Sequence, residues 1–233
     1  MSDHTERLKR EAAARALALV ENGMVLGLGS GSTMAHFVEL LGAALEEGRL
    51  RDIVGVPSSV RTGREARAAG VPVISLGDRP RLDLTVDGAD EVTPGLDLIK
   101  GLGGALLREK MVAQASDRLV IIADERKAVD RLGTRSPLPV GVVDWGWQVH
   151  VAALESLGAS VEVRKFDDGP PYKSDNGNLI LDCTFGEGIP DPSGLQAFLD
   201  RRAGVVDHGL FLGMAERAIL AGPDGIRTIG GPQ

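Results

Sequence analysis

The strongest constraint on the fold is an alternation of short apolar runs with longer segments of helical spacing. Met24–Leu28 is one such run, and the segment 34–45 beyond it carries apolar residues at the three- and four-residue intervals of a helix. The pattern recurs, because strand-like runs at 52–56 and 71–76 flank a helix-like segment at 59–69. Short buried strands that alternate with helices are typical of a parallel sheet. The first half of the chain is therefore predicted to form a Rossmann-like α/β domain.

The chain changes character near Leu132, where Gly133, Pro137 and Pro139 interrupt it and the apolar segments shorten. The elements predicted from Val140 onwards follow the order strand, helix, strand, strand, helix, strand, which is typical of the split βαβ, ferredoxin-like fold. The last strand-like pieces, 209–212, 218–221 and 226–229, are expected to return to the first sheet. The predicted domains are a Rossmann-like domain, 1–131 plus about 206–233, and a smaller ferredoxin-like α+β domain, 132–205.

Charge and cysteine content exclude several classes of protein. The 233 residues carry a formal net charge of -7, which leaves no excess of Lys and Arg to neutralise a nucleic-acid backbone. The lone Cys183 has no partner for an intrachain disulfide, which fits a reducing compartment. The first residues mix charges of both signs, and the longest apolar runs are too short to cross a bilayer. We expect a cytoplasmic protein with neither a nucleic-acid nor a membrane partner.

The loop after the first strand has the composition of a phosphate-binding site. Gly27–Thr33 reads G-L-G-S-G-S-T, so glycines allow close backbone approach and hydroxyls stand at the start of a helix. It is not a dinucleotide fingerprint, because Ser32 occupies the position of the third glycine, and it lacks the lysine of a P-loop. A small phosphoester without a nucleotide is the preferred ligand. The alternative is an ordinary strand-to-helix turn that a serine caps.

Two acids, Asp87 and Asp90, follow the strand predicted at 82–86 and are expected to face one cavity. Such a pair is suited to binding sugar hydroxyls or transferring protons. A transition-metal site is disfavoured, because the histidines are scattered along the chain, whereas Mg²⁺ stays open. The alternative for Asp87 is a structural role as a turn residue.

Glu109 is predicted to be a buried carboxylate on the helix 105–115. Burial would raise the pKa of its carboxyl towards neutrality, as a general base requires. The adjacent Arg108 and Lys110 are interpreted as solvent residues. The alternative for Glu109 is that it too is exposed to solvent. Its neighbours at helical spacing are all apolar: Ala105, Leu106, Val112 and Ala113.

Lys100 stands directly before a second glycine loop, Gly101–Gly104. Its ammonium group is suited to neutralising an oxyanion that the amides of that loop also hold. The alternative is a lone lysine in solvent.

Taken together, these segments resemble the type A family of ribose-5-phosphate isomerase over nearly the whole chain. The resemblance implies interconversion of ribose 5-phosphate and ribulose 5-phosphate in the pentose phosphate pathway, with no metal and no organic cofactor. It also implies the Rossmann-like and ferredoxin-like domains and a homodimer or homotetramer. The carrying segments are GLGSGSTMAHFVELL (27–41), DLTVDGADEV (83–92), LIKGLGGALLREKMVA (98–113), PLPV (137–140), SDNGNLILD (174–182) and GVVDHGLF (204–211).

The resemblance also implies roles for individual residues. Glu109 matches the family's proton acceptor, and Asp87, Asp90 and Lys100 match its other catalytic residues. Further substrate-binding positions are Lys9, Ser30, Gly31, Ser32, Thr33, Gly88, Ala89, Gly101, Leu102, Gly103 and Lys127. The sequence departs from the family where Leu102 replaces a frequent glycine, Ser30 a frequent threonine and Gly141 a frequent acid.

Two other hypotheses belong to different functional classes. A non-catalytic sugar-phosphate sensor would share the first domain, but it should carry a basic DNA-binding element, and the sequence contains no such segment. An acyl or CoA transferase of similar architecture would use a glutamate as a covalent nucleophile. Incubation with ribose 5-phosphate distinguishes all three hypotheses.

Overall fold

A computed structural model of the chain describes residues 3–166 and 169–231. The α-helices are Asp3–Leu17 (α1), Ser32–Glu46 (α2), Val60–Ala68 (α3), Leu106–Gln114 (α4), Gln148–Glu155 (α5) and Pro192–Asp200 (α6). The β-strands are Val25–Leu28 (β1), Val54–Pro57 (β2), Leu84–Asp87 (β3), Glu91–Val92 (β4), Leu98–Ile99 (β5), Leu119–Asp124 (β6), Leu138–Val142 (β7), Ser160–Val163 (β8), Leu179–Thr184 (β9), Val205–His208 (β10), Leu210–Phe211 (β11), Arg217–Gly222 (β12) and Gly225–Gly230 (β13). A short 3-10 helix, Glu125–Lys127, follows β6.

The chain divides into two compact units, each assembled from separate segments. Among the described residues, the first unit comprises 3–89, 108–127 and 214–231, and the second comprises 90–107 and 128–213. These ranges differ from the predicted domains, because the segment 90–107 belongs to the second unit and the boundaries lie near 128 and 214. The physical reason is strand pairing: β5 pairs with both β4 and β11 in a three-stranded antiparallel sheet.

The first unit is built on a six-stranded sheet with the order β13-β12-β6-β3-β1-β2. All neighbouring strands are parallel except β13, which pairs antiparallel with β12. This arrangement confirms the predicted Rossmann-like parallel sheet and the return to it of the pieces at 218–221 and 226–229, which form β12 and β13. The prediction is wrong for the piece at 209–212, which forms β11 and pairs with β5 in the three-stranded sheet of the second unit. Helices α1 and α2 cover the strands with buried apolar side chains that include Ala12, Ala16, Phe37 and Leu41.

One predicted strand of this unit, 71–76, is wrong. The segment touches β2 only through an isolated bridge between Gly55 and Val73. The Gly55 N–H donates to the carbonyl of Pro72, and the Ile74 N–H donates to the carbonyl of Gly55. Pro72 has no N–H of its own, so it cannot continue a ladder of hydrogen bonds along β2.

The second unit contains an antiparallel four-stranded sheet with the order β10-β7-β9-β8. With α5 and α6 it gives the chain order βαββαβ, which confirms the ferredoxin-like prediction. Glu91 in β4 is fully buried and accepts backbone hydrogen bonds from Gly133, Arg135 and Ser136 at 2.6 to 2.7 Å. A single carboxylate therefore holds the turn that precedes β7. Within 3–166 and 169–231, no helix has the length and apolar character needed to cross a membrane.

Candidate active site

In the first unit, the predicted phosphate loop lies at a topological switch point of the sheet. Strand β1 has β2 on one side and β3 on the other, so the chain reverses direction across the sheet between them. In open α/β sheets, ligands bind outside the carboxyl ends of the strands at such a point. The residues that follow β1 are Gly29–Gly31, and β3 ends at Asp87.

Asp87 supports this loop through one of its carboxylate oxygens. Its side chain is buried, with 1% of the residue surface exposed. Oδ1 accepts hydrogen bonds from the N–H of Ser30 at 3.0 Å and from the N–H of Gly88 at 2.7 Å. A Cβ atom on Gly29 would collide with the Asp87 carboxylate, so only glycine fits there. The structure thus brings Asp87 together with the loop that precedes α2.

The start of α2 is open towards solvent. Gly31, the N-cap residue, has φ 106°, and no described side chain caps the helix. The hydroxyl of Ser30 lies 2.9 Å from Ser58 Oγ, so it forms a hydrogen bond with another side chain of the protein. Ser32 is exposed and Thr33 half-buried, so these two residues carry the hydroxyls at the helix N-terminus. An anion at this position would meet backbone N–H groups and the positive end of the helix dipole.

Glu109 lies on the buried side of α4, as predicted. The residue is 4% exposed, and its neighbours Leu106 and Ala113 are also buried. Lys110, which we predicted to be a solvent residue, is instead 9% exposed. Positions 106, 109, 110 and 113 lie along one stripe of the helix, and the reason for the burial of Lys110 is that other segments of the protein cover the full width of this stripe. Arg108, also interpreted as a solvent residue, is half-buried.

Two further lysines named at the sequence level also belong to the first unit. Lys9 on α1 is buried, and its Nζ atom lies 2.9 Å from Glu6 Oε1. A hydrogen bond from Lys9 and a weaker effect of the hydrogen bond to His36 both lower the pKa of Glu6. Its carboxylate is therefore ionised at neutral pH. Lys127, at the end of the 3-10 helix after β6, is half-buried.

In the second unit, Lys100 and Asp90 organise the second glycine loop. Lys100 is 2% exposed, and its Nζ atom lies 5.5 Å from the centre of the Phe211 ring. Its backbone N–H donates to the carbonyl of Gly209 at 2.9 Å. Asp90 Oδ2 accepts a hydrogen bond from the N–H of Leu102 at 2.9 Å. Asp90 therefore binds the backbone of the predicted substrate loop.

The backbone angles of this loop explain where it requires glycine and where it accepts leucine. Gly101 and Gly104 have φ values of 98° and 83°, which side chains rarely adopt. A Cβ atom on Gly104 would also collide with the Tyr172 ring. Leu102 is not among the non-glycine residues with positive φ, which in the described chain are Asp52 and Leu96. Leucine at 102 therefore introduces no backbone strain into the loop.

Within residues 3–166 and 169–231, no group of three or more His, Cys, Asp or Glu side chains is arranged to hold a metal ion. Burial raises the pKa of the Cys183 thiol to about 12, so this thiol is protonated at neutral pH.

Comparison with known proteins decides the family. The family model described as ribose 5-phosphate isomerase A (phosphoriboisomerase A) matches residues 54–225. The chain belongs to the ribose 5-phosphate isomerase A family. Ribose-5-phosphate isomerase A of Chloroflexus aurantiacus is 52% identical over 225 residues, which cover 97% of this chain and 94% of that protein. The protein of the same name from Nitrobacter hamburgensis is 52% identical over 230 residues, 96% of this chain and 97% of that one.

Solved structures of the family share the complete fold. Ribose 5-phosphate isomerase from Plasmodium falciparum superimposes with a TM-score of 0.94 at 35% identity, covering 98% of this chain and all of that one. A D-ribose-5-phosphate isomerase in complex with phospho-erythronic acid gives the same TM-score at 38% identity, covering 99% of this chain and all of that one. The α/β fold predicted from the resemblance is thereby confirmed.

Several residues that shape the loops of this family member were missed at the sequence level. Ser58 and Thr62 hold the predicted phosphate loop. Ser58 forms a hydrogen bond with the hydroxyl of Ser30, and Thr62 Oγ1 donates to the carbonyl of Gly29 at 3.0 Å. A signal existed for Ser58, because it follows the strand at 52–56 and parallel strands end at the same edge of a sheet. Arg164, which contacts the second loop, had no such signal, because more than sixty residues separate it from that loop.

Proposed function

We propose that this chain is a ribose-5-phosphate isomerase that interconverts D-ribose 5-phosphate and D-ribulose 5-phosphate. The observation that carries the proposal is the 52% identity, over 97% of the chain, to a protein named ribose-5-phosphate isomerase A. The burial of Glu109 supports it, since an aldose-ketose isomerase requires a carboxylate with the environment of a general base.

The phosphate group of the substrate is assigned to the open N-terminus of α2. Ser32 and Thr33 would donate their hydroxyls to the phosphate oxygens, and the backbone N–H groups of Gly31 and its neighbours would add charge-assisted hydrogen bonds. Lys9 and Lys127 would supply positive charge. The fixed position of this loop supports the assignment, because Asp87 holds the Ser30 amide and Ser58 the Ser30 hydroxyl.

The sugar is assigned to the acids that follow β3 and to the second loop. Asp87 would assist opening of the ring, and Asp90 would bind a sugar hydroxyl while it holds the Leu102 amide. The backbone at Gly88 and Ala89, directly after Asp87, would line the same part of the substrate. Anchoring the phosphate and the hydroxyls separately would fix the carbon atoms that react.

Glu109 is assigned the proton transfer. Its carboxylate would remove the proton from carbon 2 of the open-chain aldose, and the released electron pair would form the double bond of a cis-enediolate. The carbonyl oxygen at carbon 1 then carries the negative charge. Lys100 and the amides of Gly101, Leu102 and Gly103 are the groups assigned to stabilise that charge. The proton of the hydroxyl at carbon 2 would pass to the oxygen at carbon 1, and the Glu109 carboxyl would return its own proton to carbon 1. The new carbonyl then stands at carbon 2, which gives the ketose.

We further propose that the enzyme is cytoplasmic and assembles as a homodimer or homotetramer without a cofactor. The single buried cysteine supports a reducing compartment. The resemblance to the family supports the oligomer. Light scattering on the purified protein measures its mass directly, and a particle of about 24.5 kDa, the mass of one chain, would contradict the assembly.

The test of the activity is incubation of the purified chain with ribose 5-phosphate, with ketose formation followed by its absorbance. We expect steady formation of ribulose 5-phosphate, and much slower turnover of free ribose. The matched control is the Glu109→Gln protein, prepared in the same way, which excludes a contaminating isomerase from the expression host. Absence of ketose from the parent reaction would contradict the proposed function. Equal rates for parent and control in independently purified preparations would contradict only the role of Glu109.

A further inference from the structure

Arg164, which directly follows β8, bonds two different partners with the two edges of its guanidinium group. On one edge, Nε donates to Asp182 Oδ2 at 2.8 Å and Nη2 donates to Asp182 Oδ1. On the other edge, Nη1 donates to the carbonyl oxygens of Leu102 at 2.8 Å and Gly101 at 3.2 Å. The Arg164 side chain is 14% exposed and that of Asp182 21%, so water competes little for these bonds. All four residues belong to the second unit.

These bonds fix the orientation of two consecutive peptide groups in the second glycine loop. In a trans peptide, the C=O and the N–H point in opposite directions. The Gly101–Leu102 peptide is held on both sides, since its carbonyl accepts from Arg164 and its N–H donates to Asp90. The next peptide directs the Leu102 carbonyl at Arg164, so the N–H of Gly103 points away from the guanidinium group. Gly103 is an exposed residue, so a ligand can approach the loop at this position.

The surroundings of Arg164 prevent it from adopting other arrangements. The bidentate pair with Asp182 allows one orientation of the guanidinium plane. Tyr172 lies beside this plane, with its ring centre 6.0 Å from Arg164 Cζ, and it also packs against Gly104 at the end of the loop. Asp182 itself lies on β9, a central strand of the four-stranded sheet. The loop is therefore braced through Arg164 against the rigid part of the second unit.

We propose that Arg164 is a positioning residue for isomerisation, held by Asp182, which orients the Leu102–Gly103 peptide so that the Gly103 amide meets the negative oxygen of the enediolate. This inference rests on the proposed function, which assigns the loop amides to that oxygen. Preorganised amides stabilise the developing charge more than the neutral substrate. Loss of Arg164 should therefore lower kcat with little change in KM, because the phosphate is assigned to a different loop.

The first test measures kcat and KM for ribose 5-phosphate in Arg164→Ala, Arg164→Lys and Asp182→Asn. Removal of one complete oxyanion donor costs about 100- to 1000-fold in rate, so a misoriented donor should cost about 10- to 100-fold in kcat. KM should stay within about threefold. Lysine offers a point charge in place of the planar fork, so Arg164→Lys should recover only part of the rate. Asp182→Asn keeps Arg164 and should show a smaller loss than Arg164→Ala.

Arg118→Ala is the matched control. Arg118 forms a similar bidentate pair with Glu216, at 2.8 and 3.2 Å, in the first unit. Its removal therefore reproduces the loss of a partly buried ion pair without a loop contact, and kcat should change less than threefold. Melting temperatures of all variants separate a loss of folded protein from a loss of rate.

Guanidinium rescue and ligand affinity supply readouts that a purely structural role would not change. Arg164 lines a cleft of about 870 Å³, so guanidinium ion can reach the space left in Arg164→Ala. At concentrations far below those that unfold proteins, it should restore kcat in this variant and not in Arg118→Ala. The carboxylate of phospho-erythronic acid places negative charge at the sugar end, so Arg164→Ala should weaken its binding about tenfold and leave that of inorganic phosphate unchanged.

The outcomes distinguish this inference from the proposed function. A parent protein that forms no ribulose 5-phosphate would overturn the proposed function itself. An active parent together with Arg164→Ala at a kcat within threefold of the Arg118→Ala value would overturn the positioning role alone. A fall in kcat that matches the loss of folded protein, with no rescue by guanidinium, would assign Arg164 to the stability of the second unit. If Arg164→Ala does not fold, the same comparison applies to Arg164→Lys and Asp182→Asn.

Discussion

At the scale of single residues, the proposed chemistry depends on a carboxylate that the protein shields from water. Glu109 is 4% exposed on a helix whose neighbouring positions Leu106, Val112 and Ala113 are buried. Glu109→Gln keeps the shape of the side chain and removes the base. We expect kcat to fall by about 10² to 10⁴, as is typical when a general base is lost, while ribose 5-phosphate still binds. Steady-state kinetics and a binding isotherm for the same variant check both parts.

The control for this prediction is the stability of the variant. Gln occupies the same volume without a charge, so the melting temperature should remain close to that of the parent. A Glu109→Gln protein that turns over within a few-fold of the parent would show that another carboxylate carries the proton. Asp87 and Asp90 are then the residues to replace next.

Residue burial was predictable only where a whole stripe of the helix is apolar. Four apolar neighbours at helical spacing correctly placed Glu109 inside, since the spacing is a local property of the chain. The burial of Lys110 and of Lys100 depends on what other segments place over them, which no local spacing records. The same limit applies to Arg164, whose contact with the second loop spans more than sixty residues of chain.

At the scale of elements, the loop between β1 and α2 carries the proposed phosphate site. Ser32→Ala and Thr33→Ala each remove one hydroxyl donor to a phosphate dianion. A hydrogen bond to a charged group contributes roughly 1.5 to 3 kcal/mol, so kcat/KM should fall about tenfold or more for each residue. Kinetics with ribose 5-phosphate measure this loss, and free ribose should be a poor substrate of the parent.

Ser156→Ala is the matched control for the loop. Ser156 is an exposed hydroxyl at the end of α5 in the second unit, where it bonds the carbonyl of Ala153. Its replacement should leave kcat/KM unchanged. Equal turnover of ribose and ribose 5-phosphate by the parent would remove the α2 loop from the mechanism, whatever the variants show.

The elements themselves were predicted where periodicity alone defines them. The strand, glycine loop and helix at 24–45 are correct because apolar spacing and glycine positions are local signals. The run 71–76 has the same apolar character, but Pro72 limits it to one bridge with β2. The short strands β4 and β5 pair locally, whereas β11 joins their sheet across more than a hundred residues of chain, which no local signal records.

At the scale of the whole molecule, the sequence indicated two domains with the last residues in the first, but not that 90–107 belongs to the second. The first unit takes three segments and the second takes two, so the chain leaves and re-enters the first unit twice. Composition marks the change near Leu132, because prolines and glycines cluster there. Nothing comparable marks the change at 90, which follows from the pairing of β4 and β5 inside the second unit.

The intact enzyme is predicted to work without a metal ion, because the two acids best placed to bind one already accept hydrogen bonds from backbone N–H groups. Asp87 Oδ1 accepts the amides of Ser30 and Gly88, and Asp90 Oδ2 accepts that of Leu102. Neither acid is part of a cluster of three or more metal-ligating side chains among residues 3–166 and 169–231. The charge on the enediolate is instead assigned to Lys100 and the loop amides.

Exhaustive treatment of the full chain with EDTA should therefore leave kcat and KM for ribose 5-phosphate unchanged. A zinc-dependent hydrolase in the same buffer verifies that chelation is complete, and elemental analysis of the treated isomerase verifies that no metal is retained. Loss of turnover with EDTA and its recovery with Mg²⁺ or Mn²⁺ would make the acid pair a metal site. Asp87→Asn and Asp90→Asn would then abolish that recovery. Under the proposed mechanism, added metal leaves the activity of both variants unchanged.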